Sequence, residues 1–399
     1  MTNDPTGDGA GERGVSRRDY LLGAGAVGLA AVAGCVGLGG GTDDVTTALL
    51  SGTVVVLSAD TDEPTLVDPA ETTTPVGDAI DSLGAAGGTI CLPPGRVRDE
   101  GPIRLRSNTS VVGFGPDVSE LDITTPETDG LVFADPDGID RVLLDQFALN
   151  GPGLDADSGA AIHHREGDTQ ELIVGHLLLW GWNNSVYRVD QGVGPFQCRH
   201  RQLTVYECDA GSEDGLFDFG SYYGPANWFG TLAIYPRSGY SGTDSTVFFS
   251  RGGSQRIEYL TMGGTAGTAV EQTGDANLQI DHVHWEPHEA ETVPTAIVDL
   301  SGGRPARIGT VKHVTGTAEF AYRLSGDEVV GADPAQKFLG PYDPAGDSPT
   351  LTRGVVELAA AGDSARPCFY LGTAGDVTVS HGSDTTGGLR ALGDAGTGL

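Results

Sequence analysis

The sequence predicts an all-β protein, a right-handed, single-stranded parallel β-helix (a solenoid) with a short N-terminal capping helix. From about residue 129, short apolar strands and turns rich in Gly and Asp recur at intervals of about 22 to 31 residues. The strands are rich in Val, Ile, Leu and Phe and are too short for ordinary helices. A single coil cannot bury its own apolar face, so the coils must stack. The chirality of parallel crossovers favours the right-handed form.

Each repeat opens with one short strand and ends with a longer apolar segment. The openings lie at 130–135, 160–165, 185–190, 215–220, 246–251, 268–273 and 295–300. The second halves lie at 142–151, 172–181, 198–207, 227–236, 255–264, 278–287 and 306–315. Alternate residues of a strand share a face, so two mostly apolar columns of the second halves are expected to point inward. The first is Phe147, Leu177, Leu203, Leu232, Leu260, Val283 and Val311, and the second is Leu149, Leu179, Val205, Ile234, Met262, Trp285 and His313.

The segment before the repeats has its own signature. Residues 76–83 have helical apolar spacing, GGTICLPPG follows at 87–95, and SVVGFG follows at 110–115. A short helix, this turn and a strand ending in V-G-x-G resemble the N-terminal end of the pectate-lyase-like right-handed β-helix superfamily. The resemblance covers about residues 75–320 and implies that the helix closes the open end of the stack. It implies the fold and no particular activity, because that superfamily includes lyases, hydrolases, epimerases and adhesins.

The N-terminus predicts export. Arg17 and Arg18 precede an apolar run that is shorter than a membrane-spanning helix, as in a twin-arginine signal. The run ends in VAGC, which resembles a lipoprotein processing site with Cys35 as the lipidated residue; an ordinary cleaved signal is the alternative. We therefore expect an extracellular, cell-surface protein that meets the membrane only through a lipid anchor. The expected organisation is a signal (1–35), a flexible linker (36–50), an N-terminal cap with the first coils (51–128), the repeats (129–325), and a C-terminal cap with a mobile tail (326–399).

Composition limits the partners. The formal net charge is −32, and only Lys312 and Lys337 are lysines. Such a surface repels nucleic acids, so no nucleic-acid partner is expected. The acidic, lysine-poor composition resembles that of proteins from salt-loving archaea. Beyond Cys35, four cysteines remain; export permits disulfides, but their spacing selects no pairing, and buried free thiols are favoured.

Charged residues are expected to form one patch over the opening strands. Aligning these strands gives an outward column of Phe133, His163, Arg188, Asp218, Phe249, Glu271 and Val298, and a second column two residues later of Asp135, Arg165, Asp190, Gly220, Arg251, Thr273 and Leu300. The candidate catalytic residues are His163, Arg188, Asp190, Asp218 and Glu271, with Arg165 and Arg251 as substrate-binding residues. Two carboxylates could serve glycoside hydrolysis, whereas His163 with an arginine could serve uronate β-elimination. Simple pairing of opposite charges between coils is the alternative.

Trp180, Tyr206 and Tyr235 are expected to form an outward aromatic row on three consecutive coils, suited to stacking on sugar rings.

The stretch DHVHWEPH places His282, His284 and Glu286 outward, a weak candidate metal site because alternate strand residues lie about 6.6 Å apart. There is no dedicated metal motif, and no cofactor is expected.

The sequence therefore favours a cell-surface β-helix that binds a polysaccharide, and it leaves open whether the protein cleaves that chain as a glycoside hydrolase or a lyase. The alternative is a non-catalytic structural or adhesive surface protein. In an enzyme the charged patch should converge in a cleft with a perturbed pKa, whereas in a structural protein the charges should pair along the coil surface. Oligomeric state stays open.

Overall fold

The protein is a parallel β-solenoid of about eight turns. This computed structural model describes residues 42–61, 63–155, 157–211, 214–222, 224, 227–235, 246–263, 267–287, 293–302, 304–325, 337–345, 349–359, 369–371 and 379–381. The export arginines Arg17 and Arg18 and the lipidation candidate Cys35 lie outside these residues.

Two helices and a long series of strands make up this part of the chain. The helices are α1 (Thr42–Leu50) and α2 (Pro75–Asp81). The strands of the first coils are β1 (Val54–Ser58), β2 (Thr65–Val67), β3 (Gly88–Cys91), β4 (Gly95–Asp99), β5 (Ile103–Arg104), β6 (Thr109–Val112), β7 (Ser119–Ile123), β8 (Leu131–Ala134), β9 (Ile139–Asp140), β10 (Leu143–Asp145) and β11 (Phe147–Asn150). The middle strands are β12 (Ile162–Glu166), β13 (Thr169–Gln170), β14 (Ile173–Trp180), β15 (Tyr187–Val189), β16 (Pro195–Phe196), β17 (Arg199–Tyr206), β18 (Gly215–Phe219), β19 (Asn227–Tyr235), β20 (Thr246–Ser250), β21 (Ser254–Gly263) and β22 (Val270–Gln272). The last are β23 (Asn277–Glu286), β24 (Ala296–Leu300), β25 (Ala306–His313), β26 (Thr317–Ser325), β27 (Lys337–Leu339), β28 (Tyr342–Pro344), β29 (Thr350–Ala359), β30 (Phe369–Leu371) and β31 (Val379–His381).

Each coil lays its strands on those of the preceding coil. The opening strands form one parallel sheet in the order β5-β8-β12-β15-β18-β20-β22-β24-β26-β29-β31, and the long strands β14, β17, β19, β21, β23 and β25 pair in turn within a second sheet. The long strands span a bend: β10 and β11 both pair with β14, and Gln146, at φ 62°, separates them. Each long strand therefore presents two outward faces, one before the bend and one after it.

The inward columns are confirmed. Phe147 pairs with Leu177, and Leu149 pairs with Leu179, and this register continues coil by coil to Val311 and His313. These residues are buried, and they join one continuous apolar core that runs from Val54 to Val356. The alternation of apolar and polar residues thus fixes which face of each strand is buried.

The N-terminal helix prediction is also confirmed. Helix α2 begins one residue before the predicted segment, and it buries Val76, Ala79 and Ile80 in the core at the first coil. The buried carboxylate of Asp99 on β4 accepts hydrogen bonds from the backbone N–H groups of Val76 and Gly77 (2.9 and 3.2 Å) and so caps the helix from outside it.

Helix α1 replaces most of the expected flexible linker. The linker was predicted over 36–50, but residues 42–50 form this helix, which packs Val45 and Leu49 against Cys91 and Phe114. These contacts cover the outer side of the first coil and explain why the segment is ordered.

The C-terminal cap and mobile tail expected over 326–399 stay a prediction, and the described parts of this segment are strands. Strand β29 pairs in parallel with β26, and β30 and β31 pair in parallel with β27 and β29. These strands therefore continue the stack, since each pairs in parallel with a strand of the preceding coil.

The cysteines behave as buried thiols. Cys198 and Cys208 are free and buried, Cys91 is buried, and Cys368 lies outside the described residues. Burial raises the pKa of both Cys198 and Cys208 to about 12, so these thiols are protonated and unreactive at neutral pH.

A polar chain crosses the core between consecutive coils. The hydroxyl of Tyr187 lies 2.8 Å from Nε2 of His164 and 3.1 Å from Nε2 of His200, and all three side chains are buried. On the far sides, Nδ1 of His164 lies 3.0 Å from the hydroxyl of Thr169, and Nδ1 of His200 lies 3.4 Å from the carbonyl oxygen of Trp228. Burial lowers the pKa of His200 to about 3, so its ring is neutral.

Candidate functional site

His163 lies at the centre of the predicted patch, held between two carboxylates. Its Nδ1 lies 2.9 Å from Asp129 and its Nε2 lies 3.0 Å from Asp190. Burial lowers the pKa of His163, but the hydrogen bonds and charges of the two carboxylates outweigh burial and raise it. The same contacts outweigh burial at Asp129 and Asp190 and lower the pKa of each carboxyl. Ionised carboxylates can only accept hydrogen bonds, so both ring nitrogens carry protons and His163 is an imidazolium.

Two arginines extend this group. Nε of Arg188 lies 3.0 Å from Asp190, and Nη1 of Arg165 lies 3.7 Å from Asp129. The charges alternate from Arg165 through Asp129, His163 and Asp190 to Arg188. The structure therefore brings His163, Arg165, Arg188 and Asp190 together, and it adds Asp129, which the sequence did not single out.

Asp218, Arg251 and Glu271 form a second group on the following coils. Arg251 pairs through one guanidinium nitrogen with Asp218 at 2.5 Å and through another with Asp214, and its guanidinium lies 4.2 Å from the ring centroid of Phe249. Glu271 accepts a hydrogen bond from Thr246 at 2.9 Å. Burial, aided by the charges of Asp299 and Asp214, raises the pKa of Glu271 against the opposing effects of Thr246 and Arg251.

The predicted columns are correct in the middle and wrong at both ends. His163 pairs with Arg188, then Asp218, Phe249 and Glu271 follow in register. At the ends, however, His163 pairs with Val132 rather than Phe133, and Glu271 pairs with Asp299 rather than Val298. A β-bulge at His164 to Glu166 breaks the pairing of β12 with β8, and such an extra residue is not visible in an alignment of sequence segments.

The aromatic row is present, but its rings cover each other. Trp180, Tyr206 and Tyr235 are register partners on consecutive coils. The ring centroids of Tyr206 and Tyr235 are 5.1 Å apart with planes 25° from parallel, and those of Trp180 and Tyr206 are 6.2 Å apart at 34°. Tyr206 and Tyr235 are stacked and Trp180 is tilted against Tyr206, so the rings cover part of each other's faces. The stacking of sugars on this row stays a prediction.

The ring stack ends at Trp180, which lines a surface groove of about 550 Å³. The register partner of Trp180 on the preceding coil is Asn150, and the row continues through Asp122 to Arg98. The indole N–H of Trp180 donates a hydrogen bond to Glu207 at 3.1 Å, which fixes the ring at the groove wall. The other wall is the turn at residues 151–155.

Hydrogen bonds hold the groove floor in place. Asn150 donates through Nδ2 to Asp122 at 2.7 Å. Arg96 lies 2.8 Å from Glu120 and 3.2 Å from Asp122. Arg98 lies exposed in the same groove. From Arg98 to Trp180 is three coils, or about 14 Å at the strand spacing, room for about three sugar residues. Of this groove the sequence had identified only Trp180; aligning the first coils with the repeats would have put Arg98, Asp122 and Asn150 in its row.

The weak metal candidate does not form a ligand cluster. His282, His284 and Glu286 point outward as predicted, but His282 stacks on Tyr259 (centroids 4.8 Å apart) and His284 lies 3.4 Å from Glu286. Within the described part of the chain, no group of three or more His, Cys, Asp or Glu side chains could hold a metal ion.

Comparison with protein-family models, with curated proteins and with solved structures found no match for this chain. Among the residues that the structure describes, no helix is long and apolar enough to cross a membrane.

Proposed function

We propose that this protein is an exported, cell-surface β-helix that binds a polysaccharide in the groove beside Trp180. The observation that carries the proposal is the groove itself, about 550 Å³ with an indole at one wall and Arg96, Arg98, Asp122 and Asn150 along its floor. An aromatic ring with a few convergent polar groups is a common arrangement for a small-molecule or sugar site. Localisation rests on the twin-arginine and lipoprotein patterns at Arg17, Arg18 and Cys35.

The ion pairs of the opening strands favour binding without cleavage. Asp190 is engaged by His163 and Arg188, and Asp218 is engaged by Arg251. A carboxylate that must take up or release a proton during hydrolysis is hindered by a close permanent cation. These side chains pair between coils, as expected for a structural or adhesive protein.

Glycoside hydrolysis remains the second candidate, because one observation favours it. Glu271 and Asp218 lie two coils apart, about 9.6 Å at the strand spacing, which is at the far end of the range for inversion. Burial raises the pKa of Glu271, as a general acid requires. An enzyme of this kind would use Glu271 as the acid and Asp218 as the base.

The test is a binding titration with soluble oligosaccharides from a panel of neutral and uronate-containing polysaccharides, in high salt. Trp180→Ala should weaken binding at least about tenfold, the effect of losing one aromatic anchor. Tyr259→Ala is the control, since Tyr259 is an outward aromatic of a long strand, like Trp180, but lies outside the groove.

Equal affinities of the two variants would contradict the proposed groove. New reducing ends in the same samples, abolished by Glu271→Gln and by Asp218→Asn, would establish the hydrolase. Ultraviolet absorbance from unsaturated uronates would instead indicate a lyase.

A further inference from the structure

One exposed row of the long strands carries arginines and aromatic rings and no carboxylate. It occupies the face before the bend, whereas the Trp180 groove lies after the bend. Successive register pairs define the row over seven coils, as Ile173, Arg199, Trp228, Arg256, Gln279, Arg307 and Phe338. The three arginines are exposed, as are Ile173 and Phe338 (40% and 44%). We call this set the arginine row.

The composition of the row is unusual for this chain. The protein has 55 acidic and 23 basic residues, so an exposed column drawn at random should contain more carboxylates than arginines. Asp281 lies 3.1 Å from Arg256 and also interacts electrostatically with Arg307. The positions of the row itself hold three guanidinium groups and no carboxylate, which makes the row cationic on a chain with a net charge of −32.

The spacing within the row is set by the fold. Arg199, Arg256 and Arg307 fall on every second coil, so the backbone positions of neighbouring arginines are about 9.6 Å apart. An extended polysaccharide advances about 5 Å per sugar, close to the spacing of stacked strands. Alternate coils therefore match alternate sugars of a chain that runs along the solenoid axis. The half-buried indole of Trp228 lies between the first two arginines, level with the intervening sugar.

We propose that the arginine row binds an acidic polysaccharide that carries one carboxylate in every second sugar. Each guanidinium takes one carboxylate in a two-pronged hydrogen-bonded pair, and this pairing keeps its directional hydrogen bonds in salt that screens simple charge attraction. Trp228 packs against the uncharged sugar between two acidic ones. This site is separate from the Trp180 groove, and it does not depend on the function proposed there.

The test compares three soluble polymers of matched length: hyaluronan, with one carboxylate per disaccharide; polygalacturonate, with one per sugar; and neutral dextran. Binding is measured by titration calorimetry at about 0.15 M and about 1 M salt. The triple variant Arg199→Gln, Arg256→Gln, Arg307→Gln should lower the affinity for hyaluronan about tenfold or more. The control triple variant Arg104→Gln, Arg106→Gln, Arg353→Gln removes three other exposed arginines with the same change in net charge.

The proposal holds if only the first triple variant loses affinity and hyaluronan binds more tightly than polygalacturonate. Equal losses in the two triple variants, or equal or tighter binding of polygalacturonate, would overturn it. Tighter binding of single-stranded DNA than of hyaluronan at the same salt would also overturn it, since the row would then be a general polyanion surface. The two sites are tested by different variants: the first triple variant reports on the arginine row, and Trp180→Ala reports on the groove.

Discussion

Replacing Tyr187 by Phe should destabilise the solenoid by removing the centre of the buried polar chain. The donor and the acceptor of each hydrogen bond in this buried polar group follow from the carbonyl group of Trp228. The carbonyl oxygen of Trp228 can only accept, so Nδ1 of the neutral His200 ring carries the proton and Nε2 is an acceptor. The hydroxyl of Tyr187 therefore donates to His200 and accepts from Nε2–H of His164, and Thr169 donates to Nδ1 of His164.

Tyr187→Phe leaves one donor on His164 and one acceptor on His200 without a partner, in a site where the three side chains are buried. Each unsatisfied buried group costs about 1–3 kcal/mol, so the free energy of unfolding should fall by about 2–6 kcal/mol. Tyr322→Phe is the matched control, because Tyr322 is equally buried and its hydroxyl donates a hydrogen bond to the carbonyl oxygen of Gly340 at 3.0 Å. Tyr322→Phe should lower the free energy of unfolding by about 1–3 kcal/mol.

The assay is guanidinium denaturation followed by circular dichroism, with hydrogen exchange of the β15 and β17 amides as a local readout. Stacked coils need not unfold in one step, so the local readout shows whether the loss is confined to these coils. A loss for Tyr187→Phe no larger than that for Tyr322→Phe would refute the two buried hydrogen bonds assigned to the Tyr187 hydroxyl. NMR of the ring nitrogens provides a second check, since His200 should be protonated at Nδ1 and His164 at Nε2.

Two further predictions concern histidines with opposite pKa shifts. The pKa of His200 is about 3 in the folded protein against an ordinary 6.5. Below pH 6.5 the unfolded chain therefore binds a proton at His200 that the folded protein does not bind. The free energy of unfolding should fall by about 1.4 kcal/mol per pH unit as the pH drops from 6.5 toward 3. Denaturation midpoints should therefore fall more steeply between pH 7 and 5 in the natural protein than in His200→Asn, and parallel slopes would contradict this. His163 has a raised pKa, so its contribution is present below about pH 6.5 and is lost as the pH rises through the folded pKa. Asp190→Asn should lower the pKa of His163 in an NMR titration, and Asp137→Asn, an exposed neighbour outside the ion pairs, should not.

Most of the fold could be predicted because the inward side chains repeat. The columns from Phe147 to Val311 and from Leu149 to His313 are confirmed at each step, since a one-residue slip would expose every apolar side chain of a strand. Outward positions lack this constraint. At the ends of the charged columns the register differs by one residue from the alignment, at His163 with Val132 and at Glu271 with Asp299, while the middle agrees.

The candidate sites were harder to predict because they depend on contacts between coils. The alternation of Trp180, Tyr206 and Tyr235 was visible in the sequence, but the stacking of Tyr206 on Tyr235 was not. The groove floor was missed because Arg98 and Asp122 lie on first coils that the repeat alignment did not include. The arginine row, in contrast, occupies the second position of each aligned second half. It could have been found by applying the same column analysis to that position.

The charged columns of the opening strands and the arginine row of the long strands suggest different roles for the two sheets. On the opening strands, cations and carboxylates neutralise each other between coils: Arg323, for example, lies 3.1 Å from Asp299 of the preceding coil and 3.1 Å from Glu357 of the next. Exposed pairs of this kind contribute little each, but repeated at every coil they oppose slippage of one coil on another. On the long strands, Arg199 and Arg307 have no carboxylate in their own column. Asp281 interacts with Arg256 and Arg307, but the row itself contains no carboxylate, so we attribute its three arginines to a partner that supplies negative charge from outside.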